Sequence, residues 1–175
     1  MHRVDLQDER NRIPFRLLCL HAEAIGDAPF LLSDEQRYSY GRANAIVNAY
    51  AHGLRRLGLQ AGDRLALYLH SCVEFVLLTL AANKLGALWV PLNTDYRDTW
   101  LVETINASRC TVLVADAQAL EKLRPVEREL RYGRLLLRGG VEAAGAEFAS
   151  RGIVSLEELA DNSSAEPETK HVDYG

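Results

Sequence analysis

Apolar residues follow two rhythms that take turns along this chain. Ala43, Ile46, Val47, Tyr50, Ala51, Leu54 and Leu57 recur with the period of a helix, with Ser39 ahead of them as an N-cap and Gly58 behind them as a stop. Residues 64–69 (RLALYL) form a short continuous apolar run after a Gly62-Asp63 turn, the pattern of a strand buried on both faces. Residues 73–85 return to helix, apolar nearly all round, and Ser71 with Glu74 offers an S-x-x-E capping box to open it. A second run, 87–92 (ALWVPL), follows Gly86; Pro91 has no N–H for a ladder and so marks the strand's end. Loop 93–97 comes next, Asp98 is placed to cap a helix carrying Leu101, Val102 and Ile105, and 111–115 (TVLVA) is a third strand.

Strands alternating with helices predict an α/β fold, a doubly wound, mainly parallel sheet with helices on both faces. Past Asp116 the pattern thins: a helix over 118–130 is interrupted by Pro125, 135–137 is a fourth strand, and 139–152 is small and flexible. Residues 153–154 suggest a last short strand, and Ser155 with Glu158 a second capping box before a short helix. At the other end, 13–24 reads as an amphipathic first helix. One α/β unit is expected over 1–160; order is expected to end after Ala160, where 161–175 mixes Ser, Glu, Pro and Asp without apolar period, as a linker does.

Composition narrows the function classes. With 175 residues, 48% of them hydrophobic and 25% charged, the chain can bury a substantial core. Twenty basic residues against 24 acidic ones give a net charge of -4, which argues against a general nucleic-acid or anionic-membrane surface. No window approaches the roughly 18 consecutive apolar residues of a membrane span. A secretion signal is spoiled by Arg16 within 13–20 and by Asp5, Asp8 and Glu9 before it. Cys19, Cys72 and Cys110 are widely spaced with no CxxC pair, so reduced, mostly buried thiols and a cytoplasmic location are expected. The helix at 73–85 is apolar on nearly every face and needs cover on more than one side, which predicts self-association.

Familiar catalytic spacings are missing. His2, His21, His52, His70 and His171 are scattered without an HExxH pattern, so no metal site is expected. Gly140 and Gly145 stand at Walker-like spacing, yet Ala146-Glu147 occupies the place of the phosphate-binding Lys and Ser/Thr. Gly53, Gly58 and Gly62 miss the dinucleotide fingerprint, and no G-x-S-x-G elbow occurs. No catalytic set is therefore assigned. What remains is position: ligands of doubly wound sheets gather beyond the carboxyl ends of the strands, which selects His70-Ser71, Asn93-Thr94-Asp95 and Asp116. Helix capping alone accounts for Ser71 and Asp116, and a loop position for His70.

Four segments in register carry a family resemblance. Residues 38–44 (YSYGRAN), 57–67 (LGLQAGDRLAL), 80–93 (LAANKLGALWVPLN) and 108–116 (SRCTVLVAD) resemble core motifs of the adenylate-forming superfamily, which contains acyl-CoA synthetases, luciferases and peptide-synthetase adenylation domains. The run 91–97 (PLNTDYR) looks more like acyl-CoA ligases of the fatty-acid and carnitine type. The resemblance implies an enzyme that joins a small-molecule carboxylate to ATP with Mg2+, releases pyrophosphate, and passes the acyl group to coenzyme A. It also implies that loop 93–97 lies near the nucleotide end of coenzyme A, with Lys122 or Arg124 approaching its phosphates; the coenzyme A residues expected are thus Asn93, Thr94, Asp95, Lys122 and Arg124. The family's phosphate loop, magnesium ligand and catalytic lysine would all lie beyond Gly175, so these residues are expected to be the N-terminal portion of such a ligase and not to adenylate alone. The alternatives are an interaction module that keeps the sheet without the chemistry, and an adenylation domain of a peptide synthetase.

Overall fold

The computed structural model describes residues 4–33, 36–160 and 163–167. Helix α1 (Pro14–Ile25) leads into a hairpin of β1 (Pro29–Leu32) and β2 (Arg37–Ser39), followed by α2 (Tyr40–Arg56), β3 (Arg64–Tyr68), α3 (Val73–Lys84) and β4 (Leu88–Pro91). Then come α4 (Asp98–Ser108), β5 (Val112–Asp116), α5 (Ala117–Leu123), β6 (Arg134–Arg138), β7 (Val154–Ser155) and α6 (Leu156–Ala160). Strands β3 to β7 make one sheet in the order β4-β3-β5-β6-β7, every neighbouring pair parallel. No helix among the described residues is long and apolar enough to cross a membrane.

The two-residue period of the strands sorts their side chains between two cores. Leu65, Leu67, Val112, Val114 and Leu136 face one, which α2, α3 and α6 complete with Val47, Leu54, Leu77, Leu78 and Leu159. Ala66, Tyr68, Leu113, Ala115, Leu135 and Leu137 face the other, closed by Leu101 and Ile105 of α4 and Leu120 and Leu123 of α5. Because both faces are covered, β3, β5 and β6 read as continuous apolar runs, and the expected doubly wound sheet is the one observed.

Local signals set the element ends where nothing distant competes. Ser39 accepts from the Arg42 amide at 3.2 Å and caps α2, while Gly58, Gly62 and Gly86 take the positive φ of 95°, 84° and 72° that their turns require. Elsewhere tertiary contacts replace the expected local ones. The Ser71–Glu74 capping box does not form: Cys72 is the N-cap of α3, and Glu74 turns to Arg138 at the end of β6, 3.0 Å away. Asp98 is the first residue of α4 rather than its cap. Pro125 splits the expected helix, so α5 ends at Leu123 and a 3-10 segment, Arg124–Glu129, follows. The 139–152 stretch holds two 3-10 turns and a fully buried Phe148, which the small residues around it had concealed. Ser155 Oγ accepts from the Glu157 amide at 3.1 Å, and the β1–β2 hairpin had no clear sequence signature. The structure also continues past Ala160: Asn48 Nδ2 donates to Ser164 O at 2.9 Å, and Glu166 meets the buried Lys84.

Candidate functional site

The sheet's winding changes face between two adjacent strands. The chain leaving β3 enters α3, on the first core, whereas the chain leaving β5 enters α5, on the second. Diverging connections open a crevice beyond the carboxyl ends of β3 and β5, the position at which open α/β sheets hold ligands. His70 and Asp116 occupy it. Asp116 Oδ1 accepts from the Ala119 amide at 2.8 Å and so caps α5; its Oδ2 accepts from the His70 amide at 3.1 Å and lies 2.9 Å from His70 Nδ1. An ionised carboxylate only accepts, which places the imidazole proton on Nδ1. Burial pushes the Asp116 carboxyl up, but the Ala119 amide and the His70 hydrogen bonds outweigh it and hold the group below the usual carboxylate range.

Beside the crevice, loop 93–97 is built by local turn chemistry and then tied down by two side chains. Asn93 Oδ1 accepts from the Asp95 amide at 2.9 Å, an Asx turn, and the Tyr96 amide donates to Asn93 O at 3.1 Å. Tyr68, fully buried in the second core, sends its hydroxyl to Tyr96 O at 2.8 Å, with Thr94 O 3.3 Å away. Lys122, from α5, donates its ammonium to Thr94 O at 2.5 Å. Burial pushes the Tyr68 phenol up to about 12, so it remains a donor throughout the neutral range.

A cleft of about 370 Å3 opens next to this loop, lined by Arg97, Asp98, Gln118, Glu121, Lys122 and Pro125. Two cations and two carboxylates share its walls. An ammonium has three donors and Lys122 uses one on Thr94, so two remain to meet a phosphate or carboxylate oxygen. The fold therefore brings together Thr94 and Lys122 of the expected coenzyme A residues. In the turn itself Asn93 uses its side-chain oxygen and Asp95 its backbone amide. Arg124 leads elsewhere, pairing with Glu147 and Glu121 and lying 5.9 Å over the Phe148 ring. Tyr68 was missed because its partners are backbone carbonyls, which leave no mark on the sequence; the available signal was a polar-tipped aromatic at a strand's carboxyl end.

With this geometry in place, known proteins can be set beside it. The sequence profile described as "AMP-binding enzyme" matches residues 20–169. The chain is 32% identical over 143 residues to a crotonobetaine/carnitine–CoA ligase of Salmonella paratyphi A, covering 77% of this chain and 26% of that protein. It is 27% identical over 126 residues to 4-coumarate–CoA ligase 3 of Arabidopsis thaliana, covering 70% and 22% respectively. The chain thus spans about a quarter of the length of these relatives. Among solved structures, a mutant form of coronafacic acid ligase from Pectobacterium brasiliense superposes with a TM-score of 0.79 at 18% identity, over 89% of this chain and 30% of that one. A fatty acyl CoA synthetase of Mycobacterium tuberculosis does so with a TM-score of 0.74 at 22% identity, over 94% and 31%. At these identities the structural likeness speaks for the fold.

Proposed function

The chain belongs to the AMP-binding enzyme family, and from that premise we propose that it is the N-terminal portion of an ATP-dependent acid–thiol ligase that activates a small carboxylate and transfers it to coenzyme A. The observation that supports this reading is the 32% identity, over 77% of the chain, to a carnitine-type CoA ligase. In the proposed enzyme, ATP and Mg2+ drive formation of an acyl adenylate, and no residue of the present sequence is assigned to that step. These 175 residues hold no Gly-rich phosphate loop ending in Lys, and are expected not to bind or turn over ATP by themselves. Residues 161–175 are read as the connection toward that machinery.

The share of this sequence is taken to be the thiol substrate. Lys122, with two donors in reserve, and Arg97 across the cleft fit a phosphate-bearing group, while Asn93, Thr94 and Asp95 form the turn over which its nucleotide end would pass. Arg124 would join only after leaving Glu147. The cleft carboxylates of Asp98 and Glu121 make the contact one of geometry more than of net charge.

The test is a double change, Thr94→Trp with Lys122→Glu, in the full-length ligase containing this sequence. It should raise the KM for coenzyme A severalfold while sparing carboxylate-dependent pyrophosphate exchange, because only the second half-reaction uses the thiol. Equal loss in both half-reactions would mark damaged packing instead, and no loss in either would remove the loop from the coenzyme A site.

A further inference from the structure

Lys84 ends α3 with its side chain completely shielded from solvent, at 0% exposure. A buried ammonium needs both hydrogen-bond acceptors and a counter-charge. The helices supply only neutral acceptors: Asn48 Oδ1 at 2.6 Å and Asn44 Oδ1 at 3.1 Å from α2, and Cys19 Sγ at 3.3 Å from α1. The counter-charge comes from Glu166, whose Oε1 lies 2.5 Å from Lys84 Nζ.

Both oxygens of that carboxylate are addressed. Oε1 also accepts from the Cys19 thiol at 3.4 Å, and Oε2 accepts from Asn48 Nδ2 at 3.0 Å and Asn44 Nδ2 at 3.5 Å. Every one of these donors sits on a helix of the α/β unit, and none belongs to the segment that carries Glu166. The glutamate side chain is itself half exposed, so its carboxylate enters the pocket from the solvent side. Donors on the fold and an anion arriving from a separate segment are the arrangement of a receptor and its ligand.

We propose that Lys84, Asn44, Asn48 and Cys19 form a receptor for a small carboxylate, with Glu166 as its resident ligand and residues 163–167 as a strap seated by that occupancy. Asn48 reinforces the seat through Ser164 O at 2.9 Å, and the His52 ring lies 3.0 Å from Ala165 O. A free carboxylate with the same two oxygens competes for the pocket when Glu166 is absent. The proposal is independent of the ligase reading and of the cleft beside loop 93–97.

The test uses the 175-residue chain with sodium formate as probe and sodium chloride at equal ionic strength as reference. In Glu166→Gly the receptor is vacated, and formate should stabilise the fold saturably; at ten times its dissociation constant it raises the folded-to-unfolded ratio about elevenfold. The unaltered chain should show no formate-specific gain, and neither should Lys84→Met/Glu166→Gly, in which an apolar side chain replaces the cation. If Glu166→Gly is unfolded in chloride, formate should restore the folded signal. A response of Glu166→Gly no larger in formate than in chloride, or an equal response in the double variant, overturns the receptor. Amide exchange in Glu166→Gln reads the strap directly: exchange of the Ala165 amide, bonded to Ser163 Oγ at 3.2 Å, should rise at least about tenfold, and unchanged exchange overturns the seating role.

Discussion

Replacing Tyr68 by Phe removes one oxygen from the centre of the candidate site and leaves the ring packing intact, so its consequence can be worked out closely. The hydroxyl has one proton, which the 2.8 Å separation assigns to Tyr96 O; the 3.3 Å approach to Thr94 O is secondary. A net protein hydrogen bond contributes about 1 kcal/mol, and the full desolvation penalty of about 1–3 kcal/mol arises only when the remaining partner is orphaned away from water. Tyr96 as a residue is 36% exposed and its bond to Tyr68 is only partly buried, which favours the lower figure, and Thr94 O keeps Lys122. The expected loss is therefore about 1 kcal/mol, well short of the roughly 3–5 kcal/mol that follows emptying a large aromatic site in a core. Local consequences should exceed global ones. The Asp95 and Tyr96 amides, bonded within the turn, should exchange about fivefold faster, the factor that 1 kcal/mol represents. Urea denaturation with an unchanged m-value measures the first quantity and amide exchange the second. Because burial pushes the phenol up to about 12, the difference between the two proteins should be flat from about pH 6 to 9. A loss above about 3 kcal/mol, or lost stability without faster exchange at 95–96, would refute the claim that this hydroxyl holds the loop.

Two further outcomes are expected. Asp116 and Glu166 are both held below the usual carboxylate range; burial opposes this, but hydrogen bonds, from the Ala119 amide and His70 for Asp116 and from Lys84 and Asn48 for Glu166, prevail. A depressed folded-state pKa contributes stability that is fully present above the unfolded value of about 4 and is lost as pH falls through the folded one; Asp116→Asn should therefore flatten the acid limb of the stability profile below about pH 4, and an unchanged limb would exclude Asp116 as a source. Val76 of α3, exposed by 37%, lies on the same helix as Phe75, which meets Trp89 of the edge strand β4 edge-on at 6.4 Å. Leu88 and Trp89 are themselves exposed by 43% and 42%, so light scattering should show concentration-dependent self-association that Trp89→Lys weakens, whereas a monomer at every concentration would leave this patch without a role.

What the sequence discloses and what it withholds divide by the range of the interaction. Ser39 as a cap, Gly58 and Gly86 as stops and the apolar runs of β3, β5 and β6 were legible because each is decided by neighbours a few residues away. Loop 93–97 was legible for the same reason: a strand end, a proline and turn-forming residues lie in one stretch. The Ser71–Glu74 box was a sound local inference that the structure does not realise: the helix opens one residue later, at Cys72, and Glu74 meets an arginine 64 residues further on, which no local pattern announces. Lys84 is the sharpest case, since half of it could be read: a lysine in a helix apolar almost all round must either reach solvent or find an anion. Its anion lies 82 residues away in a stretch of Ser, Glu and Pro whose composition resembles a linker, because the contacts there are a carboxylate and backbone carbonyls rather than an apolar period. A buried cation on an apolar helix is thus a sequence-level demand for a distant acid, and polar segments otherwise read as connections are where that acid should be sought.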